Sequence, residues 1–104
     1  VGVVSVAAGF MGAERVVCTD YDETAVALAA VNAERNGLAS VVSARVLDWS
    51  KEDAFVEEDT EVLLASDVLY SSAMARSLRA ALNRLLAPHR VLLLSHEERR
   101  SVTW

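Results

Sequence analysis

The sequence has one cysteine, Cys18, and one proline, Pro88. A lone cysteine excludes an internal disulfide. Its place in an apolar stretch reads as a small buried hydrophobe, which fits a reducing compartment. The expected location is therefore cytoplasmic, with the nucleus as second choice. No cluster of lysine and arginine stands out and the net charge is −5, which argues against nucleic acid as a partner. No apolar run approaches the roughly 20 residues of a membrane span, so no membrane association is expected. The N-terminus also lacks the basic region of a secretory signal. There is no internal repeat, no low-complexity tract and no metal-ligand pattern. What remains is 104 residues, 53% of them hydrophobic, enough for one domain at most and suited to a largely buried α/β sheet. The chain begins at Val1, in mid-pattern, and stops at Trp104 soon after a polar run. Both ends read as cut, and residues 1–104 are expected to form a single partial domain.

The stretch Val16 to Asp22, VVCTDYD, organises the rest. Four strand-favouring residues run into Asp20, and a helix start follows at Asp22. An apolar strand that ends in a carboxylate and hands over to a helix is the second strand of a nucleotide-binding α/β sheet, where the acid accepts hydrogen bonds from ribose hydroxyls. The competing reading is that Asp20 and Asp22 only cap the helix.

Upstream, Gly9-Phe10-Met11-Gly12 imitates a glycine-rich loop, but only a few residues separate Gly12 from Val16. A parallel crossover needs about 10 or more, usually a helix. Val3 to Met11 is therefore predicted to be the helix itself, with Gly12 as its C-terminal cap. Gly2 is then either the last glycine of a cofactor-binding loop or a plain loop glycine. The first option agrees with the usual distance of about 20 residues from such a motif to the ribose-binding acid.

Asp22 to Asn36 is the clearest helix, capped by Asp22 or Thr24 and stopped by Asn36-Gly37. Val41 to Leu47 is a strand ending at Asp48-Trp49. Residues 50–60 are a polar surface loop or a frayed turn. Glu61 to Ala65 is a strand running into Ser66-Asp67-Val68-Leu69-Tyr70. A helix from Ser71 or Ser72 to Leu86 places Met74, Leu78, Ala81, Leu82 and Leu85 on one face, with Arg76, Arg79, Asn83 and Arg84 on the wet face. Pro88-His89 breaks it, and Val91 to Ser95 is the last strand, followed by a solvated HEERR run. Strands alternate with helices and are continuously apolar. This predicts an α/β fold, Rossmann-like and doubly wound, with a mostly parallel sheet covered by helices on both faces. Ligands of such sheets bind outside the carboxyl ends of the strands, where Asp20, Asp48 and Asp67 all lie.

The series CTDYDETAVALAAVNAERNG, VLDWS, LLASDVLYS and APHRVLLLSHEER resembles the class I, seven-strand S-adenosylmethionine-dependent methyltransferases. Within these it is most similar to the lysine methyltransferase-like branch, methyltransferase family 16. The most specific piece is Asp67-Val68-Leu69-Tyr70, which matches the D-x-x-Y that follows the fourth strand of that branch. Asp48-Trp49 comes next.

The resemblance implies a partial class I methyltransferase fold with S-adenosylmethionine as cofactor. Gly2 would be the final glycine of the cofactor loop, Asp20 would hold the ribose hydroxyls, and Tyr21 would lie against the adenine. Asp48 would face the exocyclic amine, Trp49 would pack on the ring, and Ser66 would lie near the methionine end. Asp67 and Tyr70 would act on the acceptor, a lysine side chain of a protein substrate. The family's first strand and the body of its glycine-rich loop would precede Val1, so the 104 residues alone are expected to be incomplete as an enzyme. The alternatives are a non-catalytic remnant or interaction module of the same fold and, less favoured, a nicotinamide-dependent oxidoreductase. The latter gives Asp48-Trp49 and the D-x-x-Y no role.

Overall fold

The computed structural model describes residues 2–66 and 71–95. The element order is α1 (Val3–Phe10), β1 (Val16–Asp20), α2 (Glu23–Arg35), β2 (Val42–Val46), β3 (Val62–Ser66), α3 (Ser72–Leu85) and β4 (Val91–Ser95). The chain divides into two compact units, Val1–Asp48 and Trp49–Trp104. Each holds one two-stranded parallel sheet, β1-β2 in the first and β3-β4 in the second.

In the first unit α1 carries three β-branched valines, Val3, Val4 and Val6, which favour strand over helix by intrinsic propensity. Packing decides otherwise. Val6 joins Val16, Cys18 and Val41 around the buried cluster of Ala33, Leu38 and Val42. Gly9 lets the helix seat closely, since a Cβ there would fall 3.1 Å from Leu38 Cδ1 and 3.3 Å from Val42 Cγ2. The helix closes at Met11, and Gly12 follows with φ 100°.

Helix α2 begins at the N-cap Asp22, whose Oδ1 accepts from the Thr24 amide at 3.2 Å, and Glu23 sits at its positive end. It stops at Asn36, whose Nδ2 donates to the Asn32 carbonyl at 2.7 Å, before Gly37 at φ 71°. Its buried residues are Ala29 and Ala33, small enough to bring the helix close to its neighbours.

In the second unit residues 49–60 form turns without a helix. Helix α3 is capped by Ser71, whose Oγ accepts from the Met74 amide at 3.2 Å. It buries Ala75, Leu78, Ala81 and Leu85, the expected face with Ala75 added. Trp49 and Leu82 pack against Ala75 and Leu78. Arg90 ties the unit together. Its guanidinium donates to the carbonyls of Leu85 at 2.8 Å, Thr60 at 3.1 Å, Glu57 at 3.2 Å and Glu58 at 3.4 Å. Hydrogen bonds from a charged group are worth about 1.5–3 kcal/mol. Arg90→Ala is accordingly expected to lower stability by about 1.5–3 kcal/mol in urea unfolding, with Arg90→Lys recovering little, because one ammonium cannot span four carbonyls.

The expected α/β fold of helices and parallel strands is present, and within each unit one face of the strand pair is better shielded than the other. In the first, α1 and α2 contribute Val6 and Ala33 to the same cluster as Val16, Cys18 and Val42, so both lie on one face. Residues of the other parity, Thr19 and Ser43, are exposed. In the second, β3 and β4 alternate: Leu63, Ala65 and Leu92 are half-buried, while Val62, Leu64, Val91 and Leu93 are exposed. Continuous apolarity says that both faces are suited to burial, not that one unit supplies both covers.

Candidate cofactor-binding site

The first unit gathers four of the expected cofactor residues at one end of its sheet. Strands β1 and β2 are parallel and in register, Asp20 opposite Val46. The ladder continues one step further, the Leu47 amide donating to the Asp20 carbonyl at 2.9 Å. Asp20 and Asp48 therefore stand at the carboxyl ends of adjacent strands.

Asp20 is the last residue of β1 and half-buried. Its Oδ1 accepts from the Asp22 amide at 2.9 Å, which turns the chain from strand into helix. Among the described residues its Oδ2 has no hydrogen-bond partner. Asp22 is thus the helix cap, whereas Asp20 holds the turn with Oδ1. Tyr21 lies exposed at the tip of that turn.

Gly2 precedes α1 in the left-handed region, φ 77°. A Cβ there would lie 3.2 Å from Ala29 Cβ and 3.7 Å from Cys18 Sγ. The start of α1 thus passes close to Cys18 in the middle of β1, and its other end, at Gly9, meets Val42 at the beginning of β2. The helix runs antiparallel to the strands. Its N-terminus, where backbone N–H groups and the dipole favour anionic or electron-rich groups, lies at the same end of the sheet as the two acids. A left-handed glycine where a Cβ would be crowded, a helix start and two carboxylates suit the adenosine half of a nucleoside-containing cofactor.

In the second unit Trp49 is half-buried against α3, so its indole has a packing role. Ser66 is the exposed last residue of β3, opposite Ser95 at the end of β4. Asp67 and Tyr70, expected at the acceptor site, lie outside the described residues, as do His96 and the rest of the HEERR run. Sequence reasoning passed over one contact here. Arg84, assigned to the wet face of α3, donates from Nη2 to the Lys51 carbonyl at 2.8 Å and to the Trp49 carbonyl at 3.3 Å. No periodicity signals a partner that distant in the chain.

Parallel strands ending in acids, beside a glycine-led helix, fit part of a Rossmann-like nucleotide-binding α/β fold. The lysine methyltransferase family matches residues 1–103, and the chain belongs to that family. It is also similar to the ribosomal protein L11 methyltransferase of Shewanella halifaxensis (strain HAW-EB4), at 35% identity over 78 residues, covering 75% of this chain. The chain spans 23% of that relative's length. No solved structure matches. Methyltransferases of this family take their methyl group from S-adenosylmethionine, and the donor set of the first unit fits that cofactor's adenosine portion. No helix among the described residues is long and apolar enough to cross a membrane.

Proposed function

We propose that this chain is part of a protein-lysine N-methyltransferase and supplies the adenosine-binding half of its cofactor site. The observation that carries the reading is the placement of Asp20 and Asp48 at the carboxyl ends of two paired parallel strands in a chain of the lysine methyltransferase family. Asp20 Oδ2 accepts from a ribose hydroxyl, the glycine-led start of α1 admits the cofactor closely, and Asp48 accepts from the adenine amine. The family resemblance assigns Tyr21 and Trp49 to the adenine ring and Ser66 to the methionine end. When bound, S-adenosylmethionine supplies an electrophilic methyl group.

A protein acceptor is supported by the family's description and by the relative's name. A lysine must shed a proton before its nitrogen can accept a methyl, against a free pKa near about 10.4. An apolar, aromatic-walled channel favours the neutral amine. Tyr70 forms part of that wall and Asp67 orients the amine, roles carried over from the D-x-x-Y resemblance.

The test uses a domain-length version extended on both sides of the chain. Asp67→Ala and Tyr70→Ala are expected to reduce labelled-methyl transfer to lysate proteins at least about 100-fold, the scale for positioned catalytic groups. Cofactor affinity by calorimetry should change far less. Normal turnover in both variants would remove these residues from the acceptor site. Label found on residues other than lysine would leave a protein methyltransferase of different specificity.

A further inference from the structure

We infer that Ala29 is a positioning residue for the cofactor loop, an inference that rests on the proposed cofactor site. Gly2, assigned to that loop, is seated in a notch between two elements of the first unit, α2 and β1. A Cβ there would lie 3.2 Å from Ala29 Cβ, 3.5 Å from Ala29 Cα and 3.7 Å from Cys18 Sγ. Only the first of these is tighter than ordinary van der Waals contact. The size of the residue at position 29 therefore decides what the loop can carry at position 2. Ala29 is 3% exposed. A side chain that deep cannot swing aside, because packed interiors leave few voids and transmit strain.

Helix α2 is thereby a common gauge for two groups assigned to the cofactor. At its start the turn after Asp20 is fixed, Asp20 Oδ1 accepting from the Asp22 amide and Asp22 Oδ1 from the Thr24 amide. Roughly 9 Å along the axis from Glu23, Ala29 sets where Gly2 comes to rest. Gly2 in turn opens α1, its carbonyl accepting from the Val6 amide at 2.9 Å. A larger residue at position 29 displaces Gly2 and the start of α1, while the Asp20 turn stays in place. The glycine-led start and the ribose acid then no longer fit one ligand together. Helix propensity alone would accept Leu, Met or Glu at position 29 almost as well as Ala. The closeness of Gly2 does not.

The test is a size swap in the domain-length protein, read by calorimetric titration with S-adenosylmethionine. Gly2→Ala should weaken binding at least about tenfold, because its Cβ meets Ala29 and because φ 77° disfavours a side chain. Adding Ala29→Gly removes the methyl that the new Cβ meets and should recover about three- to tenfold of that loss, the scale of relieved overpacking. A purely structural role gives the opposite sign. Glycine inside α2 weakens the helix, so the double variant would then be the worse of the two. Ala29→Val alone should weaken binding about three- to tenfold. In turnover its KM for S-adenosylmethionine should rise by the same factor while kcat stays within about twofold, the signature of lost uniform binding. Loss of stability alone would lower the stoichiometry of the titration and leave the affinity of the folded fraction intact. If the double variant binds no better than Gly2→Ala, or if Ala29→Val keeps wild-type affinity, the inference falls and the cofactor site stands. If Gly2→Ala binds as wild type does, Gly2 leaves the cofactor site and the inference falls with it. A wild-type protein that does not bind S-adenosylmethionine overturns the cofactor-site reading together with this one.

Discussion

On their own, the 104 residues are expected to elute from a sizing column well above the 11.2 kDa of a monomer, to melt without a sharp transition, and to show no shift on adding S-adenosylmethionine. The reason lies in the sheets. Strand β1 has one strand neighbour, β2, and β3 has one, β4. Among the described residues their other edges carry no strand. The strand order implied by the class I resemblance gives each of these two strands a second neighbour. An unpaired edge offers a row of N–H and C=O groups to any other chain. Here the edge also belongs to an apolar surface: Val62 is 48% exposed, Leu64 46%, Val91 55% and Leu93 57%. Two-stranded sheets are marginal in water unless something covers them. Pairing between copies would satisfy the edges and bury the apolar faces together, so association is the low-energy outcome. Size-exclusion chromatography and a thermal melt with and without the cofactor measure this directly. A monomer with one cooperative transition that moves upward with S-adenosylmethionine would show that the isolated chain is a sufficient binding domain.

The elements were legible in the sequence because local signals agreed at nearly every boundary. Asp22 and Ser71 each stand before a helical pattern, and each accepts from the backbone amide that an N-cap should. Gly37 adopts the positive φ that ends α2, and Gly12 follows the end of α1. The first helix was decided by distance alone, since the short interval from Gly12 to Val16 leaves no room for a crossover. Its valines would have argued for a strand. The family was legible from the acids at the strand ends and from the DW and D-x-x-Y motifs.

Other features were not legible, for physical reasons. A continuous apolar strand states only that both faces dislike water, and here each unit shields one face better than the other. The work of Arg84 and Arg90 was also hidden. Both reach carbonyls some 30 or more residues away. A carbonyl is present at every position, so such a bond leaves no trace in residue type. Trp49 shows the same limit. Its identity suits an adenine neighbour or a core residue, and only coordinates reveal that it rests on Ala75 and Leu78.

The most informative single substitution in the domain-length protein is Asp20→Ala. It is expected to weaken S-adenosylmethionine binding by about 1.5–3 kcal/mol, roughly 10- to 150-fold, the range for hydrogen bonds to a charged group. The two oxygens of this carboxylate do different things, which allows the effect to be dissected. Oδ1 takes the Asp22 amide and shapes the turn into α2, whereas Oδ2 is the oxygen assigned to the ribose. Asp20→Asn keeps an oxygen for the Asp22 amide and gives up the charge. It should therefore melt close to wild type yet bind the cofactor distinctly more weakly. Asp22→Ala does the reverse, removing the N-cap that receives Thr24. It should cost about 1 kcal/mol of stability and leave affinity nearly intact once the protein is folded. Calorimetric titration and a thermal melt on each variant separate the two effects. If Asp20→Ala and Asp20→Asn both bind S-adenosylmethionine as tightly as wild type, the carboxylate serves the turn alone and the ribose must be held elsewhere.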